Sequence, residues 1–232
     1  MISVIIPTFN EQDQIGRTIR HLLNNEDAGN IVEVIITDGG STDETILIAQ
    51  DSGAVTIKNK KKGRAVQMNA GAEKASGEIL YFLHADSIPP KGFTKDIISA
   101  IQKGFACGCY QLAFDHQHWF LQFNCWFTRF DINAIRFGDQ SLFVTREVFF
   151  KAGGFDEMLL LLEDQEIIYR IRRFGKFIVI RKAVISSARK YLANGIYRTQ
   201  GIYFLVYFLY RLGLSQQRLL RFYKSLIRQD KV

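Results

Sequence analysis

Cysteine is scarce in this chain. Its 232 residues include three, Cys107, Cys109 and Cys125. An odd, sparse count excludes a disulfide framework and fits a reducing compartment. The Cys107–Cys109 pair has no second cluster of thiolates to complete a metal site, so these side chains read as small buried apolar residues. Long apolar runs are missing as well. The longest is Ile202 to Tyr210, nine residues, against the roughly 18 needed to span a bilayer. No secretory leader is read at the start: Ser3-Val4-Ile5-Ile6 has the pattern of a strand, not of a basic segment before an apolar core, so a cytoplasmic location is expected. There is no internal repeat, no low-complexity tract and no G-x-G-x-x-G, which disfavours a dinucleotide-binding fold. Acids are also missing from one end. Of 30 Lys/Arg and 23 Asp/Glu, eleven Lys/Arg but only Asp230 among the acids lie beyond residue 180. The body is slightly acidic and the tail strongly basic, so the tail expects an anionic partner.

What is present is a regular alternation. Ser3–Phe9 reads as a strand, and Ile15, Ile19 and Leu22 then recur at helical spacing. Ile31–Thr37 is a second strand. Ser41 and Glu44 have capping-box spacing, which predicts a helix from there to about Ser52. Ala54–Lys58 is a third strand, Lys60–Gly63 a loop, Arg64–Ala75 a helix and Glu78–Leu83 a fourth strand, with another helix reaching Lys103. This order predicts a mostly parallel sheet with helices on both faces. Further on, Ala106–Phe114, Ser141–Thr145 and Phe177–Ile180 read as strands, and His118–Phe130 and Glu163–Phe174 as helices. Two helices separated near Gly213 form the tail. The expected organisation is a domain over 1–190, with a nucleotide-binding half (1–103) and an acceptor half (104–190), followed by a basic helical tail over 191–232.

Chemistry-bearing residues gather at the predicted strand ends, where open α/β sheets bind ligands. Pro7-Thr8-Phe9-Asn10-Glu11 closes the first strand and can hold a ribose or a base, or be an ordinary turn. Asp38-Gly39-Gly40-Ser41 closes the second; its glycines allow close approach of a ligand, and Asp38 suits a ribose hydroxyl or a base N–H. His84-Ala85-Asp86 closes the fourth. A carboxylate there, with a histidine two residues before it, can hold a divalent cation against a diphosphate. Glu163-Asp164 opens a helix, where the dipole favours acids and where a general base can also sit. Asp139 and Gln140 precede a short strand and can help to hold an acceptor.

In this order and spacing the segments resemble the family-two glycosyltransferases with the GT-A fold, over roughly residues 1–175. The resemblance implies that Pro7, Thr8, Asn10 and Glu11 wrap the nucleotide, that Asp38 holds its base or ribose, and that Arg64 contacts it. It implies that Asp86 is the last acid of a D-x-D motif holding Mg²⁺ or Mn²⁺. His84 stands where the first Asp belongs, which weakens it as a second ligand. Asp164 matches the second acid of the family's E-D pair, the base of inverting members, with Glu163 beside it. The Q-x-x-R-W motif of processive synthases is absent; only Arg172-Arg173-Phe174 lies nearby, so a single transfer is expected. The stretches 137–140 and 187–191 are similar to a short bacterial subgroup associated with arsenosugar biosynthesis. A UDP-sugar donor and inversion at the anomeric carbon are the expected reaction.

Two other readings stay open: a relative that binds a nucleotide or a partner without catalysis, and a sugar-phosphate nucleotidyltransferase. The latter needs a glycine-rich basic loop after the first strand, where this chain has Thr8-Phe9-Asn10-Glu11. In the last helix Leu219, Phe222, Tyr223, Leu226 and Ile227 share one face and Arg218, Arg221, Lys224 and Arg228 the other. Such a helix either lies on an anionic membrane, giving a peripheral contact through 202–228 that suits a lipid-linked acceptor, or packs on the domain. Nucleic acid is not expected, because no recognition motif accompanies the bases.

Overall fold

The structure, a computed structural model, describes residues 1–24, 28–59, 61–133, 136 and 138–228; Lys60, Phe137 and Asp230, named above, lie outside them. The first half is built as the alternation predicts. Strands β1 (Ile2–Thr8), β2 (Ile31–Asp38), β3 (Val55–Lys58) and β4 (Ile79–Phe82) alternate with helices α1 (Gln12–Leu23), α2 (Thr45–Asp51) and α3 (Arg64–Lys74). All four strands pair in parallel. Strand β1 is buried along its whole length, and its alternate residues face opposite cores. Val4 and Ile6, with Val34 and Ile36 of β2, meet Ile15, Ile19 and Leu22 of α1. Ile5 and Ile35 meet Ala65, Met68 and Ala72 of α3 on the other face.

Helix α3 sits unusually close to the sheet at Gly71. A Cβ built there would overlap Ile5 and crowd Thr37, both β-branched and stiff. Gly71→Val is therefore expected to destabilise the protein by about 1–3 kcal/mol through overpacking, lowering Tm by several degrees in a thermal melt. An unchanged Tm would show that α3 does not seat on β1 and β2 in this way.

The second half departs from a parallel sheet. Strands β5 (Ser87–Ile88), β6 (Phe105–Phe114), β7 (Leu142–Thr145) and β8 (Lys176–Ser186) extend it to the order β3-β2-β1-β4-β7-β6-β8-β5. β7 runs antiparallel to both β4 and β6, while β6 and β8 are parallel, so the whole sheet is mixed. Helices α4 (Phe93–Gln102), α5 (Trp119–Phe127), α6 (Arg146–Lys151) and α7 (Glu163–Ile171) lie between or beside these strands in the chain, and α8 (Arg189–Asn194), α9 (Ile196–Arg211) and α10 (Gln216–Leu226) follow them.

Two local expectations are corrected, and one left open is filled in. The capping box at Ser41 does not form: α2 starts at Thr45, its amide bonded to Asp43 Oδ1 at 3.0 Å, because Ser41 donates its hydroxyl to Asp38 instead. The last strand does not stop at Ile180. It passes Arg181 and Lys182 as an irregularity in its ladder with β6, then continues to Ser186; the charged pair interrupts the apolar run that marks a strand in sequence. The apolar face of the last helix is covered: Leu219, Tyr223 and Ile227 are buried with Ile202 and Val206 of α9 and with Leu161. Among the described residues no helix is long and apolar enough to cross a membrane.

Candidate active site

The chain crosses from one side of β1 to the other between β3 and β4, so the ends of β1 and β4 flank a topological switch point. Register places Thr8 beside Asp38. Gln67 of α3 ties these strand ends together, donating to the main-chain oxygens of Thr8 (2.8 Å) and Thr37 (2.6 Å). Asn10 takes a left-handed φ of 53°. That turn lets its amide meet Ser41 Oγ (2.8 Å) and its side chain accept from the Thr42 amide (2.9 Å). Asp38 is buried and accepts from the amides of Gly40 and Ser41 at 2.8 and 2.9 Å. Its carboxylate braces the β2–α2 loop. Helix α1 fixes the loop after β4: Thr18 Oγ1 donates to the Ala85 carbonyl at 2.7 Å.

Glu163-Asp164 reaches the same edge from a distant part of the chain. Leu162, just ahead of α7, also has a left-handed φ of 68°, and Ser141, just after Gln140, one of 61°. Among the described residues, the three non-glycine residues with positive φ each adjoin a sequence motif named above. Such backbone costs about 1–3 kcal/mol where the residue is not glycine, and here it aims α7 at the strand ends. Gln216 of α10 holds the approach to that turn, accepting from the amides of Leu160 and Leu161 at 3.1 Å.

The ionic pattern links all of these pieces. Arg64, at the start of α3, lies 2.5 Å from Glu163 Oε1 and 3.4 Å from Asp164 Oδ2. Burial opposes the guanidinium's charge, but the two carboxylates more than offset it and hold it protonated. Burial, then the neighbouring Glu163, push the Asp164 carboxyl up to about 6, against the pull of Arg64. His84 Nδ1 meets Asp139 Oδ1 at 3.0 Å. That bond raises the imidazole's pKa against burial and keeps Asp139 below the usual carboxylate range. Arg189, delivered by the extension of β8, bridges Glu11 Oε1 (2.6 Å) and Asp86 Oδ2 (3.0 Å).

These groups open on one cavity of about 470 Å³. Pro7, Thr8, Glu11, Arg64, His84, Asp86, Asp139 and Asp164 line it. Thr8 Oγ1 is buried and has no hydrogen-bond partner among the described residues. Asn10 and Asp38 sit behind the lining and shape its loops. Glu163 is buried beneath Asp164 and engages Arg64. Gln140, expected on the acceptor side, is interior, its amide donating to the Tyr110 carbonyl at 3.0 Å. The opposite wall was not legible in the sequence. It is aromatic and comes from the tail: Tyr191, Tyr203, Tyr207 and Tyr223, with Lys190, whose Nζ lies 3.1 Å from Tyr223 Oη. The tyrosine content of the tail was the available signal.

Among the described residues, no group of three or more His, Cys, Asp or Glu side chains is arranged to hold a metal ion. Asp86 offers one carboxylate. Burial first, and then the charge of Asp139, raise its pKa, while Arg189 opposes them. Such a group fits Mg²⁺ or Mn²⁺ taking its other ligands from phosphate oxygens and water. The His84 Nδ1–Asp139 contact is of the kind that orients a ligating histidine, whose other ring nitrogen would then be the one left for a metal.

Comparison with known proteins identifies the family and the fold. The family model "Glycosyl transferase family 2" matches residues 3–155. A dolichyl N-acetyl-α-D-glucosaminyl phosphate glucuronosyltransferase of Methanococcus voltae is 28% identical over 109 residues, 44% of this chain and 34% of its own length. A GalNAc(5)-diNAcBac-PP-undecaprenol β-1,3-glucosyltransferase of Campylobacter jejuni is 30% identical over 112 residues, 45% of this chain and 36% of its own. The matched region thus spans about a third of these relatives. Among solved structures, the mannosyltransferase PcManGT of Pyrobaculum calidifontis, in complex with GDP-Man and Mn²⁺, superposes with a TM-score of 0.71 at 17% identity, covering 97% of this chain and 68% of that one. At that identity the likeness concerns the fold, a curled α/β sheet of the GT-A kind.

Proposed function

The chain belongs to glycosyl transferase family 2, and from that premise we propose that it moves a sugar from a nucleotide-sugar donor to an acceptor hydroxyl with inversion. The observation that carries the reading is Asp164, a largely buried carboxylate on the cavity wall whose pKa is raised to about 6. A general base works best with a pKa near the working pH. In this reading Pro7, Thr8 and Glu11 hold the nucleoside, and the loop braced by Asn10 and Asp38 shapes its pocket. Asp86 would hold Mg²⁺ or Mn²⁺, with His84 as a candidate second ligand, and the ion would supply positive charge against the leaving diphosphate. Arg189 lies beside that place and adds positive charge toward the phosphates. Asp164 takes the proton of the acceptor hydroxyl as its oxygen attacks the anomeric carbon, and Arg64 and Glu163 set when Asp164 is free to do so. Asp139 orients His84.

A UDP-sugar is the proposed donor. The two relatives are named for dolichyl and undecaprenol carriers, which supports a lipid-linked acceptor and a peripheral place on the inner face of the membrane, with 202–228 nearby. The subgroup likeness is one of sequence alone, on 137–140 and Ser187–Tyr191, and Phe137 lies outside the described residues. A thermal-shift panel of UDP, GDP, CDP and dTDP, each with and without Mn²⁺, tests the donor site. A ligand of the folded state raises Tm. One diphosphate should do so in a metal-dependent way, and Asp86→Ala should lose the shift. No shift with any of the four favours the non-catalytic relative instead.

A further inference from the structure

We infer that the exposed aromatic faces of α5 and α9 together form a docking surface for an anionic lipid bilayer. The inference deepens the membrane contact proposed above, but moves it away from the face of α10 that the protein itself covers. Helix α5 and the turn after it place Trp119, Phe123, Trp126 and Phe130 in one stripe at i, i+4, i+7 and i+11, exposed by 65%, 54%, 46% and 41%. In α9, Tyr197, Phe204 and Phe208 form a second exposed stripe at i, i+7 and i+11. The stripes meet: the Tyr197 ring lies 4.7 Å from that of Phe120 and 6.3 Å from that of Trp119. Phe204 also lines the active-site cavity, so the apolar surface runs into its rim. A contiguous exposed apolar patch marks an interaction surface.

Charge decides the occupant. No acid occurs between His116 and Phe130, and the one full charge there, Arg129, stacks over the Trp126 ring at 4.5 Å. Helices α9 and α10 together carry five Lys/Arg and no acid. A second copy of the chain docked face to face would offer no acid from α5 or α9 to pair with Arg129 and the two arginines of α9. An anionic bilayer complements them, and rings of Trp, Tyr and Phe suit its interfacial layer. A lipid-linked acceptor held in that bilayer would then reach the cavity past Phe204.

The chain's two tryptophans are Trp119 and Trp126, so intrinsic emission reports on this surface directly. Mixing the full chain with phosphatidylcholine–phosphatidylglycerol vesicles should shift the emission to the blue and protect it from acrylamide. Vesicles of phosphatidylcholine alone should do less, and added salt should weaken the effect. Phe123→Ser with Phe204→Ser should lower co-sedimentation roughly tenfold while both reporter tryptophans remain. Co-sedimentation with unchanged emission would place binding elsewhere and overturn the inference, as would the absence of any binding. A blue shift that needs no vesicles and follows protein concentration would make a second copy the occupant and overturn it too. Loss of the nucleoside diphosphate shift would sink the proposed donor site and leave this surface standing, so the two failures are distinguishable.

Discussion

Asp164→Asn is expected to lower the rate of sugar transfer by roughly 10²–10⁴-fold, the span of general-base catalysis, while nucleoside diphosphate binding stays within about twofold of the unmodified protein. The substitution keeps the size of the side chain and removes its capacity to take a proton. Asp164 lies on the cavity wall, whereas Glu163 beneath it is occupied by Arg64, so the neighbouring acid is badly placed to substitute. Steady-state rates, read beside the diphosphate thermal shift, separate the two effects. Equal loss of binding and transfer would mean that Asp164 holds the donor, and the role of base would fall.

The second large effect is a pair of opposite shifts in the pH profile. The base acts only when deprotonated, so activity should fall as pH drops through about 6, the value to which burial and Glu163 raise Asp164. Arg64 pulls that value down and Glu163 pushes it up. Arg64→Gln removes the pull, so its acidic limb should move to higher pH, with a proportional deficit that is full well below pH 6 and shrinks as the solution is made alkaline. Glu163→Gln removes the push, and its limb should move to lower pH. Each unit of displacement is a tenfold change in rate on the acid side, or about 1.4 kcal/mol. Measuring kcat at saturating donor keeps any lost donor affinity out of the comparison. General damage to the fold would lower both profiles without moving them apart. Limbs that stay together would show that this triad does not govern the base.

Much of the fold was legible because its signals are local. Apolar runs of strand length, helical spacing at Ile15, Ile19 and Leu22, and polar residues after Thr8, Asp38 and Asp86 all lie within a few residues of what they specify. Each marks an element and its end without reference to the rest of the chain, so the first four strands and the placing of their loops at one edge followed from the sequence alone, as did the family. Where two local signals competed, contact decided. Ser41 had both a capping-box partner and the Asp38 carboxylate within reach, and the carboxylate took it. Arg181 and Lys182 broke an apolar run, yet the ladder with β6 carried β8 past them to Ser186.

The site depended most on what local pattern cannot encode. Arg64 meets Glu163 across 99 residues and Arg189 meets Glu11 across 178, and no spacing rule connects such positions. The pairing of His84 with Asp139, the interior place of Gln140 and the tyrosine wall from the tail arise in the same way. Sequence determined which elements form and which acids are available at their ends. Only tertiary packing decided which charges face one another, how deeply each is buried, and therefore which carboxylates have raised pKa values, because electrostatic energies follow distances and solvent exclusion in space, not order along the chain.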